Sequence, residues 1–169
     1  AHLLLIPGNH DPWEDGGIYH SAEFASLGER FHLLTDVQGQ TVHFPHLDTA
    51  VHGVPFARDY HQTAPHPLQM LKPDPAAVVN VAMLHAGVPA AHWDGTDAPT
   101  VTTEQIAASG MDYVALGHFH NCQVCDAGGV VARYPGPVEL INLKSPPGAP
   151  LVVDISPSGV TVEQVPVAS

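Results

Sequence analysis

The sequence has very few positively charged residues. Only five of its 169 residues are lysine or arginine, against 17 aspartates and glutamates, and the formal net charge is −12. Proteins that bind nucleic acid normally neutralise several phosphates with lysine and arginine. The composition therefore disfavours a self-sufficient nucleic-acid-binding surface, and the acidity is compatible with a role in solubility alone.

Cysteine is also scarce, since Cys122 and Cys125 are the only two in the chain. Their Cys-x-x-Cys spacing alone is compatible with half a zinc site or with a redox pair. The sequence has no second cysteine pair, and the two residues fall in a run that is typical of a β-strand. We therefore expect two reduced, partly buried thiols, with a zinc site that recruits nearby histidines as the alternative.

Long hydrophobic runs are missing too. No segment approaches the roughly 18 apolar residues needed to cross a bilayer, and no positively charged leader precedes an apolar segment. We therefore expect no membrane association and a cytoplasmic location. The hydrophobic content of 44% suffices for the core of a single domain over residues 1–169. The 15 glycines and 17 prolines predict many turns and few long helices.

Three apolar runs, residues 3–6, 78–84 and 113–116, end in side chains that bind metals or carry protons. In open α/β sheets, functional groups gather beyond the carboxyl ends of the strands, so the three runs predict one shared site. The polar residues that follow the runs are Asn9, His10 and Asp11 after the first, His85 after the second, and His118 and His120 after the third.

The types of these side chains suggest their roles. Amide oxygen and imidazole suit manganese, iron or zinc, so Asn9, His85, His118 and His120 are candidate metal ligands. His10 is better suited as a non-ligand that protonates a leaving oxygen or stabilises charge beside a bound phosphate. Asp11 is placed to orient the imidazole of its neighbour. Most of the other histidines, among the 13 in the chain, are expected to be ordinary surface or packed residues.

The rest of the pattern predicts an α/β fold. Helices are expected over residues 19–27, where Ser21 caps and Gly28 stops the helix, and over 103–109, where Thr103 caps, with a short helical turn at 67–71. The second helix lies between two predicted strands and indicates a βαβ crossover. Residues 41–44 and 50–54 predict a hairpin. The tail predicts a mostly antiparallel second sheet of a sandwich, with strands at 123–125, 130–134, 138–143, 151–155 and 160–165.

Several of these motifs, in this order, resemble the last three motifs of calcineurin-like metallophosphoesterases, most of all the SbcD-type DNA-repair exonucleases. The resemblance covers nearly the whole chain. Its motifs are Gly8-Asn9-His10-Asp11, Leu84-His85 and Gly117-His118-Phe119-His120, and the branch is indicated by Val51-His52-Gly53-Val54-Pro55-Phe56, by residues 112–118 and 134–139, and by Pro150-Leu151-Val152-Val153-Asp154-Ile155.

The resemblance implies a two-sheet β-sandwich flanked by helices, in αββα layers, and a two-metal site. Asn9, His85 and His118 would hold one ion, His120 would help to hold the other, and His10 would be the catalytic non-ligand. Two divalent ions are implied, with manganese preferred and iron or zinc as alternatives. The implied substrate is a phosphodiester of DNA or a nucleotide, and the implied partners are an ATPase and a second copy of the chain.

One departure from the family pattern affects what we expect of this chain. The family places an Asp-x-His motif and a Gly-Asp motif upstream of Gly-Asn-His-Asp, and neither precedes Gly8 here. We therefore expect this chain to be the carboxyl-terminal portion of a longer nuclease core. Its second metal site would be incomplete, and the chain alone would have little activity. The alternatives are a phosphoesterase for nucleotides or other small phosphoesters, and a non-catalytic metal-binding or interaction module.

Overall fold

The structure, a computed structural model, describes residues 1–58, 66–89, 97–139 and 148–166. It is a mixed α/β chain that consists mostly of sheet and has few helices, as the sequence predicts. The ten strands among the described residues are β1 (Leu3–Leu5), β2 (Phe31–Leu33), β3 (Gln40–Phe44), β4 (Thr49–Val54), β5 (Val79–His85), β6 (Tyr113–Gly117), β7 (Gln123–Val124), β8 (Val131–Tyr134), β9 (Leu151–Ser156) and β10 (Gly159–Gln164).

Six of these strands form the central sheet, in the spatial order β3-β4-β5-β6-β8-β7. The four inner strands are parallel, whereas β3 and β7 pair antiparallel at the two edges. Strands β1 and β2 form a separate parallel pair, and β9 and β10 form an antiparallel hairpin. The helix α2 (Thr103–Ala108) connects β5 to β6, which confirms the predicted βαβ crossover.

The two faces of the central sheet are buried to different degrees. Along β5, Asn80, Ala82 and Leu84 are buried while the alternate residues are half-buried, as the two-residue period of a strand requires. The buried face packs against Ile106 of α2 and Leu68 of a 3₁₀ turn at Pro67–Met70. These contacts form the main hydrophobic core, which fixes the ends of the inner strands relative to one another.

The opposite face of the sheet packs against the β1–β2 pair. Gly53 on β4 permits this approach, because a Cβ atom there would lie 2.5 Å from Leu34 Cδ2 and 3.5 Å from Ile6 Cδ1. Between this contact and the β9–β10 hairpin lies an apolar cleft of about 530 Å³, and its lining includes Met83 and Leu151. This face is therefore covered in part by two small sheets.

The structure corrects the sequence predictions for residues 19–27 and for the strands of the tail. Residues 19–27 contain a 3₁₀ turn (Ile18–His20) and a four-residue helix α1 (Ala22–Ala25) instead of one helix, because Ser21 between them is extended. The tail strands β7 and β8 join the central sheet, where β8 is parallel to β6. Of the tail strands that the structure describes, only β9 and β10 form a separate sheet. Residues 140–143 of the strand predicted at 138–143 lie outside the described residues.

Helix α2 begins with a capping box. The cap is Thr102, one residue before the predicted Thr103: its hydroxyl accepts from the Gln105 backbone N–H, and the Gln105 side chain accepts from the Thr102 N–H. Replacing Thr102 with alanine leaves orphan donors at the helix start, so we expect a loss of about 1 kcal/mol in the free energy of unfolding. Urea denaturation measures this loss, and an unchanged midpoint in Thr102→Ala would contradict the capping role.

The two cysteines flank the short edge strand β7. Both are free and half-buried. The two residues of β7 lie between them, and three steps along an extended chain place their Cα atoms roughly 10 Å apart, beyond the roughly 7 Å that a disulfide can bridge. Among the described residues, no helix is long and apolar enough to cross a membrane.

Candidate metal centre

The carboxyl ends of several strands meet at one edge of the molecule. The chain after β1 runs beside the chain after β4, since the Phe56 N–H donates to the Pro7 carbonyl over 3.0 Å. Strands β5 and β6 end next to each other, with His85 paired to Gly117. An open cleft of about 210 Å³ lies at this edge, and its lining includes Asn9, His10, His85, His118 and His120.

His85 contacts the loop that follows β1. Its Nε2 lies 2.8 Å from Asn9 Oδ1. Two glycines make room for the ring: a Cβ on Gly8 would lie 2.7 Å from His85 Cε1, and a Cβ on Gly117 would lie 3.1 Å from His85 Nδ1. The two glycines of the sequence motifs therefore seat the imidazole beside the amide.

His118 lies next to His85 in an unusual backbone conformation. The ring centroids of the two histidines are 5.4 Å apart and the rings are nearly perpendicular. The φ angle of His118 is +121°, a region that residues with a Cβ rarely adopt. Such conformations cost about 1–3 kcal/mol and are concentrated at functional sites. The strained backbone at His118 thus marks the same edge that the strand ends define.

The structure adds a residue that the sequence reasoning did not single out. Asp97 Oδ1 lies 3.5 Å from Nε2 of His118, whose side chain is only 7% exposed. Asp97 stands in a polar loop with no strand end or motif around it, so the sequence gives no signal for it. It brings the only carboxylate found within ion-pair distance of a predicted ligand in the described parts of the chain.

The remaining predicted residues lie around the cleft. His10 and His120 are exposed at its surface. Asp11 does not line the cleft: its carboxylate accepts hydrogen bonds from the Gly8 N–H over 3.2 Å and from the Tyr19 hydroxyl. These bonds fix the loop that follows β1. The orientation of His10 by Asp11 stays a prediction.

Burial keeps the two inner imidazoles neutral. The pKa of His85 is lowered to about 4, mainly by burial and also by the neighbouring His118, while Asp11 acts in the opposite direction. Burial also lowers the pKa of His118, against the effect of Asp97. Both rings are therefore neutral at physiological pH, which is the form that binds metal ions.

The metal-free chain is expected to lose stability in mild acid. The pKa of His85 is about 4 in the folded chain and 6.5 in the unfolded chain. As the pH falls, the His85 ring is therefore protonated in the unfolded chain at a higher pH than in the folded chain. The contribution of neutral His85 to the free energy of unfolding is complete above pH 6.5. It decreases by up to about 3 kcal/mol as the pH falls towards 4. Urea unfolding in EDTA at pH 7.5 and pH 4.5 measures this change. Replacement of His85 with asparagine should reduce the pH dependence of the free energy of unfolding. An equal pH dependence in the parent and the variant would contradict the assignment of this effect to His85.

The residues fit a divalent ion in part. Across the described residues, no group of three or more histidine, cysteine or acidic side chains is already arranged to hold a metal. The 2.8 Å between Asn9 Oδ1 and His85 Nε2 is, however, close to the separation of about 3 Å between adjacent ligands with bonds of 2.0–2.1 Å. Amide oxygen and imidazole suit manganese, iron or zinc. The Asn9–His85 pair therefore fits such an ion, and His118 lies beside the pair.

No family model matches the chain, and no curated protein matches it significantly.

Proposed function

We propose that this chain forms the metal-binding half of a phosphodiesterase site similar to that of SbcD-type DNA-repair exonucleases. The observation that carries the proposal is the cleft into which separate strand ends bring Asn9, His10, His85, His118 and His120. The order and spacing of these residues along the chain support the same conclusion, because they resemble the metallophosphoesterase motifs.

In this proposal each residue has a role that follows from its chemistry and its position. Asn9, His85 and His118 hold one divalent ion, and His120 contributes to a second. When bound, the ions supply Lewis-acid activation of the phosphoryl group and of the attacking water. His10, exposed at the cleft, donates a proton to the leaving oxygen or stabilises its negative charge.

The arrangement of layers supports the proposed fold family. Helix α2 covers one face of the central sheet, and the β1–β2 pair covers part of the other through Leu34. The β9–β10 hairpin lines the apolar cleft on that second face. A helix layer, a main sheet and smaller strand pairs opposite it are the pattern expected for part of an αββα sandwich.

A specific observation favours the second candidate function, hydrolysis of nucleotides or other small phosphoesters. The chain carries only five fixed cations, and two of them are engaged: Arg58 pairs with Glu14 over 3.2 Å, and Arg133 pairs with Asp126. With so little free positive charge, the described surface offers few contacts to a long phosphate backbone. A non-catalytic metal-binding module is the third candidate.

Metal binding and hydrolysis separate the three candidates. We expect the chain to bind Mn²⁺ in calorimetric titration, and the protein in which it occurs naturally to cleave phosphodiesters with Mn²⁺. End-labelled DNA and bis-p-nitrophenyl phosphate, assayed side by side, distinguish an exonuclease from an enzyme for small phosphoesters. Metal binding without cleavage of either would favour the module, and absence of metal binding would overturn the proposal. A copurifying ATPase or a dimer would support the exonuclease branch.

A further inference from the structure

Two histidines face each other at the opposite end of β1 from the cleft. His2 immediately precedes β1, and His32 lies in the middle of β2, opposite Leu4 in the parallel register. His2 Nδ1 and His32 Nε2 are 2.9 Å apart, and the two rings stack with centroids 5.1 Å apart at 26°. The Phe44 ring packs edge-on against both imidazoles.

This pair of ring nitrogens has the spacing that a metal ion requires. When both rings are neutral, one of the two facing nitrogens donates its N–H to the lone pair of the other. The shared proton then lies between the two nitrogens, where a metal ion could bind instead. Two imidazole nitrogens on a tetrahedral zinc ion with bonds of 2.0–2.1 Å are about 3.3 Å apart. The observed 2.9 Å therefore needs an opening of only a few tenths of an ångström.

The surroundings make the pair accessible. His2 is exposed and His32 is half-exposed, so both rings can be reached from solvent. A third imidazole, that of exposed His46, has its ring centroid 6.4 Å from that of His2. Phe44 limits the movement of both paired rings, which lowers the entropy that they lose when a metal orders them.

We propose that His2 and His32 form a surface site for a borderline transition-metal ion, such as Zn²⁺, Ni²⁺ or Cu²⁺. Imidazole ligands select these ions over Mg²⁺ and other hard cations, which prefer oxygen. The site is distinct from the cleft, because the whole of β1 separates His2 from Asn9. A bound ion would link β1 to β2 and stabilise the strand that leads to Asn9.

Zinc titration of matched variants tests this site. His85→Ala serves as the background in every protein, so that binding at the cleft is suppressed. We expect His2→Gln and His32→Gln each to lower the affinity for Zn²⁺ at least tenfold, whereas His43→Gln, which changes an exposed histidine on β3, should leave it unchanged. Circular dichroism verifies that each variant folds.

The ring ¹⁵N resonances of the histidines provide a second measurement. Zinc is expected to shift the resonances of His2 and His32 before those of His43, and Mg²⁺ at the same concentration should shift neither. Equal zinc affinities in all three variants, or unshifted resonances of His2 and His32, would overturn the proposal. Failure of zinc to bind at His2 and His32 would not affect the proposed phosphodiesterase site. That site is tested separately, with Mn²⁺ and with intact His85.

Discussion

Replacement of His85 with alanine is expected to lower the affinity of the chain for Mn²⁺ by about 100-fold or more. His85 is the imidazole that contacts the Asn9 amide, with Nε2 and Oδ1 2.8 Å apart, so its removal takes away one of the two proposed ligands that already lie in contact. Even residues that only orient metal ligands contribute 10–100-fold to affinity, and a ligand contributes more. Calorimetric titration at pH 7.5 measures the change.

A matched control makes this expectation specific. His43 on β3 is also a histidine at a strand position, but it is exposed and pairs with Asp74 over 3.2 Å. His43→Ala should keep the Mn²⁺ affinity of the parent within about twofold. Equal affinities in His85→Ala and His43→Ala would show that Mn²⁺ does not bind at the cleft.

Replacement of Tyr134 with phenylalanine is expected to cause a large loss of stability, although it removes only one oxygen atom. The hydroxyl of Tyr134 donates to the Ala86 carbonyl over 2.6 Å and accepts from the Val88 N–H over 2.9 Å. The side chain is fully buried, so both backbone groups would lose their partner away from water. Each unsatisfied group costs about 1–3 kcal/mol, and we expect a total loss of about 2–4 kcal/mol.

The control for this change is Tyr113→Phe. Tyr113 is also buried, at 7% exposure, but it lies on the opposite face of the sheet from Tyr134, whose hydroxyl bonds to Ala86 and Val88. Its replacement should cost less than about 1 kcal/mol. Urea unfolding of both variants measures the difference, and similar losses would show that the Tyr134 hydroxyl has no special role.

The segments that the sequence predicted well are those in which local pattern and tertiary packing agree. The run at 78–84 became β5, Val79–His85, because its alternate residues Ala82 and Leu84 fill the main core. The helix after it was also predicted, with its cap displaced by one residue to Thr102. In both cases short-range preference and burial favour the same conformation.

The errors arise where pairing is decided by distant residues. The β-prone tail gave no indication that β8 would pair parallel to β6, since this depends on a partner nearly twenty residues earlier in the chain. The helix predicted at 19–27 had suitable spacing of apolar residues, but none of the residues of α1 is buried, so packing does not extend it.

The candidate site likewise contains residues that the sequence predicts and residues that it does not. The sequence identified the residues at the strand ends, because motif order and strand termination are local features. It gave no indication of Asp97, whose proximity to His118 depends on the course of a loop. It also gave no indication that Gly8 and Gly117 are needed for space around His85, which only three-dimensional contact reveals.

The backbone of His118 sets conformational strain against side-chain packing. At φ +121°, glycine would relieve strain that any residue with a Cβ must carry. Exchange of this imidazole for glycine would also delete a side chain that is only 7% exposed and that packs against the His85 ring. The relief of backbone strain is therefore set against the cavity that the missing ring would leave, and the packing of the ring is what holds the backbone in this conformation.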